Sequence, residues 1–180
     1  MAAIRRLVAA AALLTAALAP LRGAAANLEY PVKATYLYKF VPFVEWPPGA
    51  LPAADQPVVL CVPAADPFGP VLDQATLGQK IGGHRIVVRR LGGAEKALGC
   101  HVLYLAGLHG PAAAEALQGV RGAPVLTVTD QAGDAPAGII TFVVRDNRVR
   151  FIINPQAAAE SGLSISSKLL SLALDVRSGR

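Results

Sequence analysis

The stretch that decides the fold is PVVLCV, residues 57–62. It is short, unbroken by polar residues and rich in valine. A strand with one wet face alternates apolar and polar residues, whereas a run like this fits a strand covered on both faces, as in a parallel sheet flanked by helices. Reading outward, three more strands follow: HRIVVRRL (84–91), HVLYLAG (101–107) and APVLTVTD (123–130). Helix-forming segments lie between them. DPFGPVLDQATLG (66–78) starts at Asp66, an N-cap residue type, and stops at Gly78; GAEKALG (93–99) is a short helix or turn. PAAAEALQGV (111–120) has proline in its first turn and strong helix formers after it. Strands separated by short helices imply right-handed crossovers and a mostly parallel central sheet, an α/β fold.

The pattern then changes. GIITFVV (138–144) and VRFIIN (149–154) flank the turn RDNR and read as an antiparallel hairpin. PQAAAESGLSISSKLLSLALDV (155–176) is expected to close the chain as a helix. On a helical wheel Leu163, Leu170 and Leu174 cluster, while Ile165, Leu169, Leu172 and Val176 fill an adjacent arc. That is more apolar surface than one core-facing stripe requires. Ile165, Leu169 or Leu172 is therefore expected in a self-association or partner interface.

The N-terminus reads as a targeting segment. Arg5 and Arg6 precede the apolar run Leu7–Leu18, and Ala24-Ala25-Ala26 is a small-residue cleavage site, the pattern of a secretory signal peptide. A retained anchor is the alternative, although the run is short and alanine-rich for a membrane span. Removing residues 1–26 of the 180 leaves 154, one compact domain over 27–180 without repeats or a linker. Arg5, Arg6 and Arg22 leave with the signal, so the net charge falls by three, from +5 to +2. No basic block remains for nucleic acid. VRR at 88–90 reads as a strand end with solvated charges.

Two cysteines remain, Cys61 and Cys100. An even number in an exported chain points to a disulfide, with two buried thiols as the alternative. Two cysteines without local histidines fall short of a metal set. His84, His101 and His109 lack the spacing of a helical metal pair. SGLSISS (161–167) is not a nucleophile elbow, and neither paired-glycine segment makes a phosphate loop. Asp66 and Asp73 can share a helix face, a common arrangement on solvated helices. Nothing here supports catalysis, a metal or a cofactor.

YPVKATYLYKFVPFVEWPP (30–48) holds six of the ten aromatic residues. Val32, Tyr36, Phe40 and Phe43 are spaced as one stripe of an amphipathic helix, which Pro42 should end or kink. Trp46 and Pro47 are then expected to cover an edge of the sheet. The rings are either core, or Tyr38, Phe43 or Trp46 stays partly exposed as a partner or ligand surface.

VKATYLYKFVPFVEWP (32–47) resembles the opening block of the YfiR-like family of exported bacterial proteins. VLCVPAADPFGPVLD (59–73), GCHVLYLAG (99–107), VLTVTDQAGDAPAGIITFVVRDNRVRFIIN (125–154) and AAAESGLSISSKLLSLA (157–173) resemble its later blocks in the same order. The resemblance implies an α/β fold and a periplasmic regulator. Such a protein binds the periplasmic domain of a membrane-anchored diguanylate cyclase and holds it inactive until a lipoprotein partner or redox stress releases it. Family members also resemble one another in forming dimers and in depending on disulfides. Two departures stand out: this chain lacks the second cysteine pair of some members, and Phe151-Ile152-Ile153-Asn154 replaces a Phe-Glu-Ile-Asn motif. Tyr38, Phe43, Trp46, Phe151, Ile165, Leu169 and Leu172 are the expected partner or dimer surface. The competing expectation is a periplasmic sensor that binds a small molecule in a pocket at the strand C-termini.

Overall fold

The structure, a computed structural model, describes residues 28–53, 55–92, 97, 99–105, 107–108, 110–131 and 137–177. The signal-peptide segment, His109 and most of GAEKALG lie outside the described residues.

PVVLCV forms β2 (Val58–Pro63) at the heart of an eight-stranded sheet, and its alternation shows why the run is wholly apolar. Val58, Leu60 and Val62 enter one core, while Val59 and Cys61 face a second core on the opposite side. Around it stand β4 (His84–Leu91), β5 (Val102–Tyr104), β6 (Leu126–Asp130) and β7 (Ile140–Arg145), all running in the same direction. Two antiparallel strands flank this block: β8 (Arg148–Ile153) beside β7, and β3 (Lys80–Ile81) beside β4. β10 (Asp175–Val176) pairs parallel to β8 and forms the outer edge. The mixed but mostly parallel single domain agrees with the expectation from sequence.

Helices cover both faces. α1 (Glu29–Lys39) and α2 (Pro70–Thr76) pack on the larger core, and α3 (Gly110–Gln118) covers the smaller one. The hairpin loop is only two residues long. Asp146 and Asn147 both have positive φ, 49° and 57°, which asparagine and aspartate tolerate better than other side chains.

Three expectations are corrected. The α1 stripe is rotated: Lys33, Ala34, Leu37 and, at its end, Phe40 and Val41 are buried, whereas Val32 is exposed. As expected, Pro42 lies beyond the helix, in a 3-10 turn over Val41–Phe43. Asp66 does not cap α2. Its Oδ1 accepts the N–H groups of Phe68 (2.8 Å) and Gly69 (3.1 Å), forming a tight turn before the helix begins.

The third correction concerns the closing helix, which is broken into four pieces. α4 (Pro155–Glu160) is capped by Asn154 and stopped at Gly162, whose φ of 70° takes the left-handed turn. β9 (Ser164–Ile165) then pairs with β1 (Val44–Glu45), α5 (Ser167–Leu172) starts at the Ser166 cap, and β10 follows. The wheel over 155–176 therefore never forms.

Candidate functional site

α1 carries a charge into the core. Lys33 is only 4% exposed, and its ammonium sits 2.5 Å from Glu29 Oε1 one turn earlier and 2.7 Å from Asp130 Oδ1 at the end of β6. Tyr104, the last residue of β5, donates its hydroxyl to the other Asp130 oxygen. The Lys33 nitrogen also lies 5.6 Å and 5.9 Å from the ring centres of Tyr30 and Phe142. Burial alone would lower the Lys33 pKa. Hydrogen bonds and attraction to Asp130 and Glu29 outweigh it, so the pKa is raised and the ammonium stays charged. Burial pushes the Tyr104 phenol well up, and the Asp130 carboxylate pushes it further, so this hydroxyl remains a donor. The cluster pins α1 to the C-terminal ends of β5 and β6.

A second charged cluster ties β4 to the turn before α2. Arg90 places Nε 2.8 Å from Asp66 Oδ2 and Nη2 2.8 Å from both Asp73 Oδ2 and the Gly69 carbonyl. The Asp73 hydrogen bond, only partly offset by burial, holds the guanidinium firmly charged. Arg90 is thus a clamp, not the solvated strand end expected of VRR, and it explains why Asp66 and Asp73 share a side.

On the opposite face Cys61 and Cys100 form a disulfide with 5.8 Å between their Cα atoms. Both are buried among Leu103, Leu105, Val120 and Val125. Arg89 donates to Cys100 Sγ at 3.1 Å. A groove of about 290 Å³ opens nearby, between Leu117–Gly122, Thr127, Ala137–Ile139 and the end of α4. It lies at the N-terminal ends of β6 and β7, not at the strand C-termini where a ligand pocket was expected.

The expected interaction residues divide. Tyr38, Phe43 and Trp46 are half-buried against the larger core and keep part of each ring at the surface. Trp46 donates Nε1 to the Val41 carbonyl at 3.4 Å and stands edge-on to His101, at the end of the central strands and not along a sheet edge. Phe43 bonds through its carbonyl to Ser166 N at 2.9 Å, and Lys168 lies over its ring. Phe151, Ile165 and Leu169 are buried core residues: Phe151 faces inward opposite Phe142 in the β7–β8 pair, and β1–β9 pairing and the Ser166 turn direct Ile165 and Leu169 inward. Leu172, the last residue of α5, is 59% exposed; Leu174 (42%), before the edge strand, and Val176 (45%), on it, follow.

Sequence reasoning missed Lys33 because the stripe was anchored on Val32. The signal was present: Glu29 lies four residues earlier, and β6 ends an apolar run on Asp130. Among the described residues no helix is long and apolar enough to cross a membrane. A family model described as YfiR/HmsC-like matches residues 30–174. No curated protein matches the chain.

Proposed function

The chain belongs to the YfiR/HmsC-like family, whose members are periplasmic regulators of cyclic di-GMP signalling, and we propose that it represses a membrane-anchored diguanylate cyclase by binding the cyclase's periplasmic domain. Residues 1–26 direct export and are removed after Ala26. The protein acts by binding and performs no turnover of its own. One observation carries the reading: Leu172 at the end of α5, Leu174 after it and Val176 on the edge strand β10 are exposed, and among the described residues no strand pairs with the outer side of β10. Open strand edges bearing apolar side chains accept another chain by pairing and burial. The half-buried rings of Tyr38, Phe43 and Trp46 extend the surface available to a partner or a second copy. The Cys61–Cys100 bond makes the repressor redox-sensitive, since it clasps the smaller core.

Affinity capture from membranes with the mature, oxidised protein as bait tests this. The wild type should retain a membrane protein with a cyclase domain. Leu172→Glu should lose at least tenfold of that capture while melting at the same temperature. Equal capture by the variant, or capture of no such protein by the wild type, would sink the proposal.

The groove supports a second reading, a small-molecule sensor. It sets Arg121 and Glu160 around a mostly small-residue floor, as a compact polar ligand requires. Ligand-dependent melting without a cyclase partner would favour it.

A further inference from the structure

His101, at the entrance to β5, holds one residue of β2 twice. Its backbone N–H donates to the Val59 carbonyl at 2.9 Å, and its ring Nδ1 accepts the Val59 N–H at 3.0 Å. The imidazole thus occupies the acceptor position that a strand carbonyl normally fills. The His101 carbonyl accepts Leu126 N–H at 2.9 Å, so a single residue joins β2, β5 and β6. Accepting on Nδ1 requires that nitrogen to be bare, which fixes the neutral ring with its proton on Nε2. Trp46 packs edge-on against the same ring, 6.3 Å between centres.

We propose that His101 is an acid-operated pin: a proton on Nδ1 expels the Val59 N–H, displaces the imidazole and loosens the Trp46 surface. The exchange is simple. Nδ1 gains a proton from water and becomes a donor, and two donors then face each other at 3.0 Å where a hydrogen bond stood. Of the titratable groups on neighbouring elements, His84 of β4 acts on the ring, and its own Nδ1 lies 3.0 Å from the Gln56 carbonyl. β2 carries no charged side chain, nor does the Val125–Thr127 entrance to β6; Trp46 brings an uncharged ring, and Glu45 beside it is exposed. Burial first, and the His84 charge second, lower the His101 pKa from its ordinary value. The unfolded chain therefore takes up this proton at higher pH than the folded one. Stability from the pin is full above about pH 6.5 and is lost as pH falls through the lowered value.

Trp46 is the sole tryptophan, so its emission reports this site alone. In the oxidised protein, emission should change in one reversible step with a midpoint below about pH 6.5, with far-UV circular dichroism unchanged. His101→Asn offers Oδ1 as an acceptor that does not titrate and should flatten the step, whereas His84→Asn should move the midpoint upward. A step that survives in His101→Asn, or a wild-type protein with no step down to about pH 4.5, would overturn the proposal. Nuclear magnetic resonance of the wild type covers a variant that fails to fold: the His101 ring and the Val59 amide should shift with one common midpoint. A Val59 amide that stays still while the ring titrates would equally overturn it.

Discussion

On the α1 side of the sheet, one cluster joins 24 buried residues among those described, including Phe40, Tyr104, Phe142 and Phe151. On the other side, among the described residues, six form the buried cluster, and two of them are the cysteines of the disulfide. The first face has apolar area to spare and encloses a charged lysine. The second has little area and is closed by a covalent bond. Burial supplies roughly 25 cal/mol per Å² of apolar surface, so a cluster of six side chains gives limited stability unless the unfolded chain is also constrained. Apolar mass and cross-linking thus substitute for one another across a single sheet. The disulfide lies under the thin face, away from the aromatic core.

The contrast breaks most severely at Lys33. Lys33→Met leaves the Asp130 carboxylate, largely buried, with Tyr104 as its one remaining side-chain partner among the described residues. Stranding a buried charge should cost about 3–5 kcal/mol in denaturant unfolding. Replacing the whole set (Lys33→Met, Tyr104→Phe, Asp130→Leu) should recover most of that loss, because Glu29 is exposed enough to be rehydrated. A triple variant as unstable as the single one would show that the network organises the core beyond its own charges.

Sequence made the aromatic side of this contrast legible only in part. The strands were readable because a run buried on both faces has to be continuously apolar, as Val58–Val62 is. The pairing of Cys61 with Cys100 followed from their number and the exported context. Lys33 was hidden because a helix stripe drawn through Val32 and Tyr36 assigns the neighbouring lysine to water. Asp130, nearly a hundred residues later, supplies the buried carboxylate that, with Glu29, keeps the lysine charged in the core. The C-terminal segment misled for a related reason. Its leucines fit a helical wheel, yet Gly162 and the pairing of Ile165 with Val44 impose turns and strands there. Pairing across the sheet overrode local propensity. The pin at His101 had no signature beyond a histidine opening a strand.

A smaller effect is expected on the thin face. The disulfide closes a loop of 39 residues in sequence separation. Substituting serine at both Cys61 and Cys100 should cost about 2–5 kcal/mol, with roughly 4 kcal/mol expected from chain entropy alone. Chemical denaturation with and without reductant measures it. The fold of the α1 face should survive, so near-ultraviolet signals from its rings should change little at low denaturant. A loss of those signals on mild reduction would dissolve the distinction between the faces.

Hydrogen exchange of the oxidised and the reduced protein at neutral pH tests the central claim most directly. If the α1 face is held by packing and the Lys33 pin, and the thin face by its covalent clasp, reduction should speed exchange in β5, α3 and the entrance to β6. Amides of α1 from Lys33 to Phe40 should keep their protection. An equal rise in exchange along α1 would mean that the disulfide holds the whole molecule, and would contradict the account.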